Sequence, residues 1–185
     1  GVRRIEATTG EGAEALIYGA QDMISSIEQL VRNPKVVQAI EKMMESNDAL
    51  TREIEEMRKE KVAQLAETLA TATPKTDGFT LIARTASHTP EVMKDLAFGL
   101  RQRVSERLVM VIGNLHDGKP TINVMLSDDI VAAGVDAGAT VREAAKLING
   151  GGGGQKFFAT AGGKNPDGLQ SAIDKAVEII SSKLN

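Results

Sequence analysis

The stretch Gly150-Gly151-Gly152-Gly153-Gly154-Gln155-Lys156-Phe157-Phe158-Ala159-Thr160-Ala161-Gly162-Gly163 puts five glycines in a row in a chain of 185 residues. Each glycine inside an element costs roughly 0.5–1 kcal/mol relative to alanine, so the run gives up local order. It gains bare backbone N–H groups and free choice of φ. A helical pattern over 136–148 precedes it and a strand-like cluster over 156–160 follows, so the glycines read as a link from helix to strand. Two readings stay open. One is a flexible surface loop. The other is a backbone surface for a phosphate-bearing polymer, centred on Gly151, Gly152 and Gly153 and supported by Lys156 and Lys164.

The familiar phosphate loops do not fit. A Walker A loop needs Gly-Lys-Ser/Thr, but Lys156 stands between Gln155 and Phe157. A dinucleotide fingerprint needs a third glycine where Gln155 or Lys156 stands, and it opens a helix instead of following one.

Composition narrows the classes further. There is no cysteine, and His88 and His116 are isolated, so thiolate and histidine-rich metal sites are not expected. An aromatic fraction of 3% argues against single-strand binding on stacked aromatic platforms. Residues 1–74 carry a balance of −4 and residues 75–185 one of +1, so nucleic-acid contact is expected only locally, in the second part. No signal peptide or long apolar run is visible, which points to a soluble cytoplasmic protein without membrane partners.

Outward from the glycines, residues 75–185 read as β-α-β-β-α-α-β-α, a small mixed sheet covered by helices. Strands are expected at 79–84, 108–112 and 121–126, with a hairpin turn at Asp117-Gly118. Helices start at Thr89-Pro90, at Ser127 and at Asn165-Pro166-Asp167, the last with Leu169, Ile173, Ala176, Val177 and Ile180 as its core stripe. Upstream, residues 8–74 read as a helical arm, coiled-coil-like and hairpin-forming. Thr8-x-x-Glu11 is a capping-box pattern that starts a helix, and Asn33-Pro34 breaks it. A heptad follows with Ile40, Asn47 and Ile54 at a and Met43, Leu50 and Met57 at d. Val62, Leu65 and Leu69 drift to a neighbouring stripe, so the expected seam is a short hairpin or dimer contact. Residues 1–7 read as a strand left from an upstream domain. The whole is α+β.

No catalytic residue stands out. Asp128 and Asp129 sit at a helix N-terminus, where acids stabilise. Ser87-His88 lacks a third partner.

The motifs nevertheless converge. Gly1-Val2-Arg3-Arg4-Ile5-Glu6-Ala7 resembles the end of the editing domain of alanyl-tRNA synthetases, and Gly150 to Lys156 with Ala161-Gly162-Gly163 resembles the glycine motif of their C-terminal domain, related to that of DHH-family phosphoesterases. This resemblance implies a non-catalytic module that recognises the elbow of tRNA(Ala) and helps couple aminoacylation to editing. It also implies a place in a longer alanine–tRNA ligase whose ATP and zinc sites are not in this segment. Arg142 and Lys146 would extend the tRNA patch, or form an ordinary solvated helix face. Phe157 would stack on an exposed base, or pack as a strand residue. The alternative task for the segment is dimerisation through the heptads.

Overall fold

In the computed structural model, residues 3–73, 75–76 and 78–184 are described; Gly1, Val2, Pro74 and Asp77, on which part of the expected first strand and linker fall, lie outside them. Two compact units are present, Gly1–Glu55 and Glu56–Asn185.

In the first unit, residues 3–9 form no regular element, so no described part of the expected opening strand is a strand. Helix α1 spans Glu11–Val31. It starts three residues after Thr8, with Gly10 as cap and no side-chain cap bond, because Gly10 at φ 60° turns the chain and its carbonyl accepts from Ala13 and Glu14. The capping box therefore does not form. Arg32 closes α1 in the left-handed conformation, and the Asn33 side chain accepts from the Lys35 N–H at 2.9 Å. Helix α2 then runs from Val36 to Ala72.

No residue of α1 is buried, and Ile40, Met43, Leu50, Ile54 and Met57 remain 39–61% exposed. The expected seam is thus not closed by the chain's own first helix. The heptad stripe instead borders an open cavity of about 600 Å³ lined by Val31, Ile40, Met43, Met44, Asn47 and Leu50.

The second unit is built on a six-stranded sheet in the order β1-β2-β3-β4-β6-β5, whose strands are Lys75–Thr76, Phe79–Ala86, Leu108–His116, Lys119–Leu126, Gly151–Gly154 (β5) and Phe158–Gly162 (β6). Among the described residues only β2 and β3 pair in parallel. Helix α3, Pro90–Arg103, joins them, starting where the Thr89 hydroxyl accepts from Val92 N. The Asp117-Gly118 turn has both φ values positive, at 48° and 72°, and pairs His116 with Lys119 as the sequence leads one to expect.

Strand alternation sorts the side chains onto two faces. One face of the sheet, with Met110, Ile112 and Met125, packs on Met93, Leu96 and Leu100 of α3 and on Val62, Ala66 and Leu69 of α2. The other, with Val109, Val111, Ile122 and Val124, packs on α5 (Ala137–Ala145) and α6 (Leu169–Leu184). The last turns of α2 therefore belong to the sheet's core, not to the arm ending near residue 74. Full burial of Leu108 through Ile112 on both faces contributes about 1.5–3 kcal/mol for each large aliphatic side chain and anchors the sheet's centre.

The acids after β4 are structural. Short helix α4, Asp128–Ala132, opens at Ser127, whose hydroxyl accepts from Leu108 N and donates to Asp129 at 2.5 Å. Asp129 also accepts from the Arg107 N–H at 3.0 Å, and Arg101 lies 2.5 Å from Asp128. Burial pushes the Asp129 carboxyl up, but hydrogen bonds from Ser127 and from the Arg107 and Ile130 amides outweigh it and hold the group below the usual carboxylate range. A lowered native pKa stabilises the fold above the ordinary Asp value and is lost as pH falls through the native one. Asp129→Asn is expected to cost about 1–2 kcal/mol at pH 7 in urea denaturation, with the difference from wild type closing below about pH 4.

Candidate nucleic-acid interface

The glycine run is not a loop. Gly151–Gly154 is the edge strand β5, paired antiparallel with β6 in the register Gly151↔Gly162 to Gly154↔Ala159. The Gln155 N–H donates to the Phe158 carbonyl and closes the connecting turn. Hydrogen-bonded backbone needs no side-chain alternation, which is why a pattern of apolar residues could not reveal this strand.

Its glycines fall into two sets. A Cβ on Gly150 would stand 2.0 Å from the Gly162 carbonyl oxygen, one on Gly152 2.3 Å from that of Thr160, and one on Gly154 2.5 Å from that of Phe158. These three positions exclude any side chain. A Cβ on Gly151 would meet nothing within 4 Å, and one on Gly153 only the Arg142 guanidinium at 3.6 Å. Packing inside the chain gives no reason for glycine at 151 and 153.

The basic residues lie around this strand. Exposed Lys156 and Lys164 follow its two ends, separated by a strand about 10 Å long. Helix α5 lies against β5 so closely that a Cβ on Gly138 would come 3.1 Å from the Gly154 carbonyl, and Asp136 caps that helix through Ala139 N. Arg142 projects from it beside Gly153. Lys146 sits past the end of α5, in the 3₁₀ turn Lys146–Ile148, and its ammonium is 2.6 Å from Glu143, so part of its charge is already balanced. Phe157 is not an open stacking platform: it packs partly buried on the α3 side, Arg101 covers its ring at 4.5 Å, and Phe98 meets it edge-on at 6.4 Å. Lys94 of α3 was not singled out by the sequence, because a lone helix lysine carries no pattern. It borders a cavity of about 320 Å³ with Gly153, Gly154 and Gln155.

Comparison with known proteins decides the family. Residues 77–182 match the DHHA1 domain. The chain belongs to the DHHA1 domain family. This DHHA1 chain is also 48% identical over 180 residues to the alanine–tRNA ligase of Bacteroides thetaiotaomicron and 44% identical over 180 to that of Bacteroides fragilis. Each alignment covers 97% of the chain but 21% of the relative, so the chain spans about a fifth of the length of the curated relatives it matches. Among solved structures it is similar to the C-Ala domain of Aquifex aeolicus alanyl-tRNA synthetase, at 33% identity and a TM-score of 0.52, over 59% of this chain and 97% of that one. The resemblance read from the two end motifs is therefore borne out: the DHHA1 chain corresponds to a C-terminal segment of alanine–tRNA ligases. Among the described residues no helix is long and apolar enough to cross a membrane.

The two sets of glycines make a direct contrast. Gly152→Ala is expected to lower stability by about 2–3 kcal/mol, because the methyl meets backbone that cannot yield. Gly151→Ala is expected to change it by less than about 0.5 kcal/mol. Parallel urea denaturation curves would check both.

Proposed function

We propose that this module binds tRNA and is not itself catalytic, serving an alanine–tRNA ligase by holding the outer corner of tRNA(Ala) while aminoacylation and editing take place elsewhere in the longer protein. The observation that carries this reading is Gly151 and Gly153: glycines on an exposed edge strand at positions where a side chain would meet no backbone. Their bareness serves something that comes from outside. An RNA elbow is a folded surface read by sugar, phosphate and shape, and backbone N–H groups can approach it only where no side chain intervenes. Lys156 and Lys164 at the strand's ends and Arg142 beside it supply the charge. The ligase's ATP and zinc chemistry would lie outside this chain. The names of the relatives support the choice of tRNA over other anionic polymers.

Fluorescence anisotropy with folded tRNA, and with an acceptor-stem minihelix that has no elbow, tests this. Full-length tRNA is expected to bind more tightly. Lys156→Glu with Lys164→Glu is expected to remove that preference and to flatten the slope of log K against log salt by about 2. Gly151→Val with Gly153→Val is expected to weaken binding at unchanged thermal stability. Equal binding of both RNAs by the wild-type chain would sink the reading.

The exposed stripe Ile40, Met43, Leu50, Ile54 and Met57, with Asn47 among them, favours a second task, dimerisation through α2. Sedimentation equilibrium is expected to give a dimer that Leu50→Asp with Ile54→Asp converts to monomer; a dimer that survives both changes rules this seam out.

A further inference from the structure

On the α3 side of the sheet, the helix leaves part of β4 and β6 uncovered. A cavity of about 280 Å³ opens there between Pro90, Met93 and Lys94 of α3 and Thr121, Asn123 and Thr160 of the sheet. It shares Lys94, Phe158 and Thr160 with the cavity of about 320 Å³ that reaches Gly153, Gly154 and Gln155. The two form one trough leading from the end of the glycine strand to the middle of the sheet.

At the inner end lies Asn123, only 5% exposed. Its Nδ2 donates to the Ile112 carbonyl at 3.3 Å and to the Thr121 hydroxyl at 3.4 Å, which uses both amide hydrogens. That orientation is fixed, because the flipped amide would set oxygen against the Ile112 carbonyl. Oδ1 accepts no hydrogen bond from the described residues and keeps some access to solvent, so it is an acceptor open to an incoming donor. Thr121 is engaged as well, with its hydroxyl 3.5 Å from the Asn114 carbonyl. What the trough offers is therefore one open acceptor on an otherwise buried side chain, the exposed Thr160 hydroxyl, the Lys94 ammonium, and the rings of Phe158 and Phe98, whose centroids are 5.5 Å apart.

We propose that this trough takes one unstacked, amino-bearing nucleobase, with its exocyclic amine on Asn123 Oδ1; as part of a bound tRNA the base would come from RNA held at the glycine strand, and to that extent the proposal rests on the function proposed above. The chemistry separates this occupant from others. An anion would be repelled by Oδ1, and an apolar chain would leave that oxygen unsatisfied. A planar base satisfies it, lays a π face on Phe158, and directs its phosphate toward Lys94. Cytosine fits where uracil does not: at the position of the cytosine amine uracil carries a carbonyl, lone pair against lone pair.

The test is a ¹⁵N NMR titration of the chain with cytidine 5′-monophosphate and with uridine 5′-monophosphate, beside tRNA anisotropy. Cytidine monophosphate is expected to shift the Asn123 side-chain amide and the Thr160 and Lys94 signals, several-fold more than uridine monophosphate. Thr160→Trp, at an exposed position, is expected to abolish those shifts and to weaken tRNA binding on the order of tenfold. Lys94→Glu on the exposed helix face serves if the tryptophan disturbs the fold. Absent shifts at Asn123, equal shifts with the two nucleotides, or full nucleotide binding in the variants each overturn the proposal. The two readings fail separately. tRNA binding that depends on Lys156 and Lys164 without nucleotide shifts would leave the glycine strand and remove the trough. Shifts at Asn123 without tRNA binding would keep the trough and remove the glycine-strand reading.

Discussion

A methyl group on Gly152 would stand 2.3 Å from the Thr160 carbonyl oxygen and 2.4 Å from the Ala161 Cα, so β5 can lie over β6 only as bare backbone. Much of the second unit leans on that approach. Because β5 has no side chains facing β6, α5 comes down onto it at Gly138, and the chain leaving α5 has to turn sharply into the strand. The turn is held from the far side of the hairpin: Lys164 N and Asn165 N both donate to the Ile148 carbonyl, and Gly150 N donates to that of Ala145. A Cβ on Gly163 would stand 2.2 Å from the Ile148 carbonyl oxygen and one on Gly168 1.9 Å from that of Leu147, so these positions exclude a side chain as well. The glycines that enter and leave the hairpin are therefore one packing device, and the bareness of the edge strand follows from it at every second position.

That leaves Gly151 and Gly153, where packing makes no demand. The surroundings are not strongly basic: the second part of the chain carries a balance near +1, Lys146 is paired with Glu143, and Arg101 is held by Asp128 and Phe157. The RNA contact proposed for this strand would gain little from long-range attraction, which salt screens over about 10 Å. It would work through short contacts, and a strand without side chains presents the shortest that a protein can make. In that proposal weak charge and bare backbone belong together.

How much of this was legible from the sequence depended on which residues carried the signal. Leu108–Ile112, the Asp117-Gly118 turn and the Thr89-Pro90 helix start are local, strong patterns, and they led directly to β3, its hairpin and α3. Strand β5 reads as a link in the sequence because glycine has no period to detect. The Thr8 capping pattern gives way in the structure because Gly10 takes positive φ two residues later and moves the helix start. Lys94, Asn123 and Thr160 lie far apart along the chain: the pairing of β4 with β6 sets Asn123 beside Thr160, and α3 brings Lys94 to the same cavity. A lone polar residue in an apolar strand is an ordinary sight in sequence; only the count of its hydrogen bonds sets it apart.

Helix α2 shows the same limit along one element. At 100° per residue, the stripe of Met43, Leu50, Ile54 and Met57 and that of Val62, Ala66 and Leu69 are centred roughly 120° apart around the helix axis. The drift away from strict heptads marks this change: the later stripe is buried on the sheet, and the earlier one is exposed. A single continuous stripe would have forced one surface to serve both purposes. With two, the turns that complete the sheet's core are settled within the chain, and the heptad face keeps its apolar side chains exposed. In the dimer proposed above, Asn47 would limit the contact, since a polar residue at position a costs stability but admits fewer registers.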